Sequence, residues 1–245
     1  MPRYRLTIEY DGTPFVGWQR QDNGLSVQGV LEAAGETLSG QPSPVVAAGR
    51  TDSGVHALAM AAHIDLDRDM PDDSVRDALN FHLRPHPVSV LEAARAEDGF
   101  HARFSCIRRY YRYRFVERRA PLSLDRGRVW RRPFTLDVEA MNAAAQLLKG
   151  RHDFTTFRSA HCQADSPVKT LEDIAVARVG GEVHLTCHAR SFLHNQVRSF
   201  AGTLERVGAG KWSVNDVGKA LAAADRTACG PVAPACGLYF VGADY

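Results

Sequence analysis

The sequence lacks the features of a membrane protein and of a disulfide-stabilised secreted protein. No apolar run approaches the roughly 18 residues that span a bilayer, and an alternating segment from Tyr4 stands where a signal peptide would have its apolar core. The five cysteines are odd in number and include no Cys-x-x-Cys pair, which argues against both a disulfide framework and a zinc ribbon. We therefore expect a soluble protein of the reducing cytoplasm that is not exported and has no membrane partner.

An excess of one charge is also lacking overall, since the formal net charge is only +2, but positive charge is concentrated locally. Residues 103–132 contain eleven arginines and two acidic residues, whereas the rest of the chain carries 19 basic and 26 acidic residues. A solvated surface is the ordinary interpretation of such a segment. Arginine, however, binds phosphate through a forked guanidinium, and tyrosines are interleaved here, so we favour a stripe that binds a polyanion such as RNA. Its candidate RNA-binding residues are Arg103, Arg108, Arg109, Arg112 and Arg114.

The hydrophobic pattern predicts an α+β fold without a regular β-α-β rhythm. Strands are expected at residues 4–10, 45–48, 61–66, 88–94, 111–115, 170–178, 182–190 and 237–241. Helices are expected at residues 27–39, 73–83, 138–148, 193–207 and 217–224. Each half has strands flanked by helices, which suggests a quasi-duplicated architecture with a boundary near residues 100–105.

A tight polar loop between apolar segments is the most informative part of the chain. It reads Gly49-Arg50-Thr51-Asp52-Ser53-Gly54-Val55-His56-Ala57. The bracketing glycines permit unusual backbone angles and close approach of another segment. Arg50 and Asp52 lie two residues apart, and taken alone this triplet could be a local salt bridge.

Together with six further segments, this loop resembles the catalytic motif of the bacterial tRNA pseudouridine synthase A family. The resemblance covers nearly the whole chain, and the further segments are residues 10–19, 100–104, 109–113, 152–158, 195–198 and 237–240. Two departures are small: Gln196 replaces a more typical methionine, and Tyr110 stands where a basic residue is common. The family's nucleophilic aspartate falls on Asp52.

The resemblance implies a fold, a reaction and a substrate. The expected fold has two quasi-duplicated ferredoxin-like or RRM-like halves with mixed, mainly antiparallel sheets around a central cleft. Residues 1–104 would form a domain carrying the Asp52 loop, and residues 105–245 a domain carrying the arginine-rich strand and the Arg198 helix. The implied reaction is isomerisation of uridine to pseudouridine at positions 38, 39 and 40 of the tRNA anticodon arm, by a homodimer without a cofactor.

The chemistry explains why a carboxylate is wanted. The N1 to C1′ bond of uridine breaks and the base rejoins through C5, so a carboxylate can stabilise or capture the electron-poor carbon. Attack at C1′, attack at C6 and an eliminated sugar intermediate all remain open. By resemblance, Arg198 pairs with Asp52, Arg50 positions the loop or the extruded nucleotide, Tyr111 stacks on the uracil, and Leu238 packs against it. The ordinary alternatives are an edge arginine bonded to carbonyls, a core tyrosine and a core leucine.

Other functions fit parts of the same pattern. A binding module would use the arginine-rich strand without chemistry, and a hydrolase or nuclease would use Asp52 to release a base or cut a strand. A metal site at His184 and His188 is not expected, because on a strand these residues lie about 13 Å apart at roughly 3.3 Å per residue. We expect no metal.

Overall fold

The computed structural model describes residues 1–160 and 162–245, and it divides into two compact units. The first unit comprises residues 1–109 and 239–245, and the second comprises residues 110–238. Helices and mainly antiparallel strands occur in both, which confirms the predicted α+β class. In the described part of the chain, no helix has the length and apolar character needed to cross a membrane. The predicted boundary near residues 100–105 stays a prediction.

The first unit is a mixed sheet with two helices. Its strands are β1 (Arg3–Tyr10), β2 (Val45–Ala47), β3 (His56–Asp65), β4 (Val88–Arg95) and, from residue 239 onward, β10 (Leu238–Asp244). The order is β4-β1-β3-β10, with β2 also pairing with β3, and only the β3 to β10 pairing is parallel. The helices are α1 (Val27–Ser39) and α2 (Asp72–His82).

The ends of α1 follow from capping residues, whereas a side chain of α2 holds that helix on the sheet. The Ser26 hydroxyl accepts the Gly29 N–H at 3.1 Å at the start of α1, and Gly40 ends the helix in the left-handed region at φ 75°. Asn80 fixes α2 on β4, because its amide both donates to and accepts from the backbone of Val90 at 2.8 Å. Both predicted helices are confirmed to within one residue at each end.

In the second unit the strands follow the order β5-β9-β8-β7, with β6 parallel to β5. Its strands are β5 (Arg108–Glu117), β6 (Trp130–Arg132), β7 (Gly150–Asp153), β8 (Val168–Val179) and β9 (Glu182–Ala189). Of β5, residues 110–117 belong to this unit. Three helices, α3 (Val138–Gln146), α4 (Gln196–Gly208) and α5 (Val214–Ala223), complete it. Phe200 of α4 is fully buried, with its ring 5.5 Å from that of Phe154 and 5.1 Å from that of Phe157.

Five elements differ from the sequence-based expectation. Strand β3 begins at His56 rather than near Ala61, because it pairs with β1 and β10 directly after the polar loop. Helix α4 begins at Gln196, after Asn195 adopts the left-handed region at φ 63°. Helix α5 begins at Val214, because Ser213 and Asp216 form a reciprocal capping box at its start. The short polar strands β6 and β7 carry no clear alternation and were not predicted.

His63 of β3 is buried against the turn that follows Phe100. Its side chain is 3% exposed, and its Nδ1 accepts the Ala102 N–H at 3.1 Å. Burial, aided by the nearby positive charge of Arg3, lowers the pKa of His63 to about 4. The folded protein therefore holds this imidazole neutral under conditions in which the unfolded chain would protonate it.

This shift predicts acid sensitivity with a definite pH window. Because the folded pKa lies below the unfolded value near 6.5, the contribution of His63 to stability is complete above pH 6.5 and is lost as the pH falls from 6.5 towards 4. The free energy of unfolding of the wild type, measured with urea, should be lower at pH 5 than at pH 7 by on the order of 2 kcal/mol. The His63→Gln variant, whose amide oxygen can still accept a hydrogen bond, should show a clearly smaller decrease. An identical loss in both proteins would contradict this assignment.

Candidate active site

The Asp52 loop connects β2 to β3 in the first unit. The Ala48 N–H donates to the Ala61 carbonyl at 2.8 Å and closes the base of the loop. At its tip, the Val55 N–H donates to the Asp52 carbonyl at 3.1 Å, and Gly54 has a φ of 75°. Asp52 is thus the first residue of a hydrogen-bonded turn that requires a positive φ at its third position. The Asp52 residue is half-buried.

The segment after β1 holds the Asp52 loop through its backbone. Gly17 forms an isolated antiparallel bridge with Asp52, and the Trp18 N–H donates to the Thr51 carbonyl at 3.0 Å. Gly17 has a φ of 118°, and a Cβ atom there would lie 2.7 Å from the Thr51 oxygen. Only glycine meets both conditions, because other residues avoid this backbone conformation and would collide with the loop.

A buried histidine joins the same segment to the end of the loop. The Gly12 N–H donates to Nδ1 of His56 at 3.0 Å, and a carboxylate oxygen of Asp11 lies 3.2 Å from that nitrogen. The His56 ring is 2% exposed and stacks on the Tyr239 ring at 4.8 Å. A Cβ at Gly12 would lie 2.0 Å from the Val55 carbonyl oxygen, so the two segments are in backbone contact here as well.

Two buried aromatic residues lie beneath the loop. The Tyr10 hydroxyl and the Thr51 hydroxyl form a hydrogen bond of 2.7 Å, and the Tyr10 and Trp18 rings are 6.1 Å apart. Tyr10, Trp18 and Thr51 are all buried. The loop therefore rests on packed side chains, which limits how far the Asp52 backbone can move.

The predicted arginines of the first unit have different environments. Arg103 is exposed, whereas Arg108 is half-buried and lies 3.2 Å from a carboxylate oxygen of Asp244. Arg109 donates to the Ala48 carbonyl from Nε at 2.8 Å and from Nη2 at 2.6 Å. Arg109 thereby holds the start of the Asp52 loop, which adds a structural contact to its predicted RNA-binding role. Arg50, within the loop, is exposed.

In the second unit, β5 buries its aromatic face towards its C-terminal end. Tyr113 and Phe115 are fully buried, while Tyr111 is half-buried and its ring packs edge-on against Phe192 at 5.0 Å. On the other face, Arg114 forms two hydrogen bonds with the Glu182 carboxylate, at 2.8 and 2.5 Å, and Arg112 is half-buried. The aromatic face of this strand is therefore the more buried of the two.

Arg198 lies in the first turn of α4 and is half-buried. Its Nε donates to the Ala233 carbonyl at 2.9 Å, and its Nη1 donates to Oδ1 of Asn195 at 3.0 Å. The Ala233 N–H in turn donates to the Arg198 carbonyl at 3.1 Å. Arg198 therefore positions the segment that leads to Leu238, and its expected pairing with Asp52 stays a prediction.

Leu238 is 5% exposed and follows a segment that Tyr113 holds in place. The Tyr113 hydroxyl donates to the Pro234 carbonyl at 2.7 Å, and a Cβ at Gly237 would lie 2.5 Å from the Tyr113 ring. Burial strongly raises the pKa of Tyr113, so the hydroxyl keeps its proton and acts as a donor. The Leu238 position depends on this glycine and this tyrosine.

The group of histidines in β9 is held by carboxylates. Nε2 of His184 lies 2.8 Å from Glu182, and Nε2 of His188 lies 3.9 Å from Glu172. Burial raises the pKa of the Cys187 thiol, which favours the uncharged form. Within residues 1–160 and 162–245, no three His, Cys, Asp or Glu side chains are grouped suitably for an ion.

The sequence analysis did not identify the contacts that support the Asp52 loop. Gly12, Gly17 and Tyr10 touch it directly, although they lie about 40 residues earlier in the chain. The only signal for them was their membership of the matching segment at residues 10–19. Periodicity and charge carry no information about such a long-range backbone contact.

Comparisons with known proteins agree on one family. A model of the tRNA pseudouridine synthase family matches residues 6–105 and 144–245. The chain is similar to the protein named tRNA pseudouridine synthase A in Maricaulis maris, with 65% identity over the whole chain and 98% of that relative. Similar proteins of the same name occur in Parvibaculum lavamentivorans, at 59% identity over all of both chains, and in Caulobacter vibrioides, at 59% over all of this chain and 99% of that relative.

The Gly17 contact predicts a position-specific cost of adding a methyl group. Gly17→Ala introduces both backbone strain and a clash with the Thr51 carbonyl, whereas Gly40→Ala introduces strain at φ 75° with open space around the new Cβ. Gly40→Ala should lower the free energy of unfolding by about 1 kcal/mol. Gly17→Ala should lower it by at least about 1 kcal/mol more. Urea unfolding measures both, and equal losses would show that the Gly17 contact is not constraining.

Proposed function

Because the chain belongs to the tRNA pseudouridine synthase family, it is an isomerase, and we propose that it converts uridines of the tRNA anticodon stem-loop into pseudouridine. The proposal assigns the nucleophilic role to the Asp52 carboxylate and requires no cofactor. The observation that carries it is the half-buried Asp52 at the start of a turn held by backbone contacts from Gly17 and Trp18.

The proposed reaction balances without a second substrate. The bond between N1 and C1′ breaks, a bond between C5 and C1′ forms, the C5 proton is lost, and a proton is gained at N1. No atom is oxidised or reduced overall. The energetically demanding step is the departure of the base. Either positive charge develops on the sugar or the pyrimidine ring is attacked, and in both cases a carboxylate stabilises or captures the electron-poor carbon.

The contacts of the loop suit this role, because a nucleophile works best when its position is fixed before the substrate binds. The Asp52 turn is closed by its own hydrogen bond and tied to the preceding segment by the Gly17 bridge. The buried Tyr10 and Thr51 hydroxyls add support from below. Little backbone reorganisation is then needed when the nucleotide enters.

We assign the remaining substrate contacts by residue. The half-buried Tyr111 ring, packed against Phe192, would stack on the extruded uracil, and Leu238 would pack against the same base. Arg198 would pair with Asp52 and orient its carboxylate towards the nucleotide. The exposed Arg50 would bind the nucleotide or its phosphate.

The arginines of residues 103–114 would provide RNA affinity to different degrees. Arg103 is exposed and Arg112 is half-buried, and both are well suited to phosphate. Arg114 is bonded to Glu182 and Arg108 lies beside Asp244, so much of their charge is compensated within the protein.

We further propose that the enzyme acts as a cytoplasmic homodimer.

The catalytic assignment is tested by Asp52→Asn, which removes the charge and keeps the shape. Pseudouridine formation in a tRNA transcript under single-turnover conditions should fall on the order of a thousand-fold or more. Affinity for the transcript should change little, because binding relies on arginines. Asp67→Asn, at an exposed aspartate of the same unit, is the matched control and should leave the rate unchanged.

Three outcomes would count against the proposal. Unchanged conversion by Asp52→Asn would remove the nucleophile from the scheme. Strand scission or base release by the wild type would instead indicate hydrolysis, and mass spectrometry separates these because pseudouridine has the same mass as uridine. Conversion confined to uridines outside the anticodon arm would overturn the proposed site of action.

The electrostatic part of the proposal predicts a steep salt dependence of tRNA binding. Each arginine that neutralises a phosphate releases counterions and contributes roughly 0.7 to 0.9 to the slope of log affinity against log salt. Arg112→Ala should therefore reduce that slope by about this amount. Arg76→Ala removes a charge from α2 that is paired with Asp73 and Asp77, and it should leave the slope unchanged. A slope unaffected by Arg112→Ala would exclude a phosphate contact at that residue.

A further inference from the structure

The turn at residues 100–106, in the first unit, is anchored to the rest of that unit by several hydrogen bonds. The Ala102 N–H donates to the buried His63, and the Tyr245 hydroxyl donates to the Ala102 carbonyl at 2.9 Å. At its start, Nη1 of Arg3 donates to the Phe100 carbonyl at 2.7 Å. Ala102 itself is fully buried, so the centre of the turn is anchored in the core of this unit.

The turn is also bonded within itself. Nδ1 of His101 accepts the N–H groups of both Arg103 and Phe104 at 3.2 Å. The Ser105 N–H donates to the His101 carbonyl at 2.9 Å, and the Ser105 hydroxyl accepts the His101 N–H at 3.0 Å. Such a network limits the conformations of the turn and therefore fixes the side chains that project from it.

What this rigid turn projects is an aromatic ring. Phe104 is 73% exposed, although a phenylalanine normally gains from burial. His101 stacks on the Phe104 ring at 4.4 Å with the planes 30° apart, and the Arg103 guanidinium carbon lies 5.5 Å from the ring centroid. Ile107, 55% exposed, follows three residues later. The surface of this turn thus combines the flat apolar ring of Phe104 with the Arg103 cation, and the stacking on His101 fixes the orientation of the Phe104 ring.

The same turn is linked to the Asp52 loop by one guanidinium. Nη2 of Arg109 donates to the Arg103 carbonyl at 2.9 Å, and Nε and Nη2 donate to the Ala48 carbonyl, directly before the Asp52 loop. Both contacts lie within the first unit. Phe104 is therefore presented on a turn whose position is coupled to that of the catalytic loop.

We propose that the exposed Phe104 ring is a stacking platform for an unpaired nucleobase of the RNA substrate, with Arg103 binding a neighbouring phosphate. The proposal rests on the proposed function, since it takes the substrate to be a folded RNA. A π face and a guanidinium are the two groups that unpaired nucleotides commonly require, and stacking tolerates any base. Because the substrate under the proposed function is a folded RNA, and an unpaired base with its phosphate matches the ring and the guanidinium together, RNA is the favoured occupant.

The test compares Phe104→Ala with Phe104→Leu, Phe104→Tyr and the control Phe81→Ala. Phe81 is a phenylalanine of α2 that is 66% exposed and packs edge-on against His82. Fluorescence anisotropy with a labelled, unmodified tRNA transcript gives the dissociation constant, and single-turnover assays at saturating enzyme give the rate of conversion. Urea unfolding of each variant verifies that the fold is intact.

Phe104→Ala should weaken tRNA binding by about 5-fold to 150-fold, as expected for the loss of one stacked base. Phe104→Leu should remain weak because it keeps apolar surface but has no π face, and Phe104→Tyr should restore affinity. Phe81→Ala should bind like the wild type. The salt slope should stay constant in the Phe104 variants, whereas Arg103→Ala should reduce it.

Several results would overturn the platform while leaving the proposed function intact. One is wild-type affinity in Phe104→Ala. Another is recovery in Phe104→Leu, which would indicate simple apolar packing. A third is dissociation of an oligomer in sedimentation of Phe104→Ala without RNA, which would assign the ring to a protein contact. The absence of pseudouridine formation by the wild type would instead reject the proposed function itself.

Discussion

The close backbone contact between Gly17 and the Asp52 turn fixes the loop on which the proposed function depends. A side chain at Gly17 would collide with the Thr51 carbonyl, so the glycine allows the two segments to pair where an ordinary residue would separate them. The contact places Asp52 at a fixed point without burying it completely. The nucleophilic role that we propose for Asp52 needs both properties, because a carboxylate that attacks a large RNA substrate has to be accessible and already aligned.

Glycine and tyrosine have a comparable role in the second unit. Gly237 lies against the Tyr113 ring, and the Tyr113 hydroxyl holds the Pro234 carbonyl. Arg198 holds the neighbouring Ala233 carbonyl. These three contacts fix the approach to Leu238, so the residues proposed to meet the base are supported by the core packing of their own unit.

The arginine-rich stripe illustrates what charge patterning can and cannot predict. The concentration of arginine was visible in the sequence, but the tasks of individual residues were not. Arg114 is bonded to Glu182, 68 residues away, and Arg109 to the backbone at Ala48, 61 residues away. Such pairings depend on which strands become neighbours in the fold, and local composition does not determine which strands these are. Helices α1 and α2 were predicted closely because their apolar spacing, and in α1 also the capping residues at both ends, are local signals. Strands β6 and β7 were missed because three or four residues carry too little pattern. Of the candidate site, the loop motif was evident from the sequence, whereas its supports at Gly12, Gly17 and Tyr10 were not.

The proposed isomerisation of anticodon-arm uridines by the Asp52 carboxylate is tested in cells by mapping pseudouridine in tRNA. Four kinds of cell are compared: cells that carry the gene, cells that lack it, and cells that lack it but express either the wild-type chain or Asp52→Asn. We expect deletion to remove pseudouridine from the anticodon arm alone, and we expect the wild type, but not Asp52→Asn at equal protein abundance, to restore it. Restoration by Asp52→Asn, or an unchanged map in cells without the gene, would contradict the proposal.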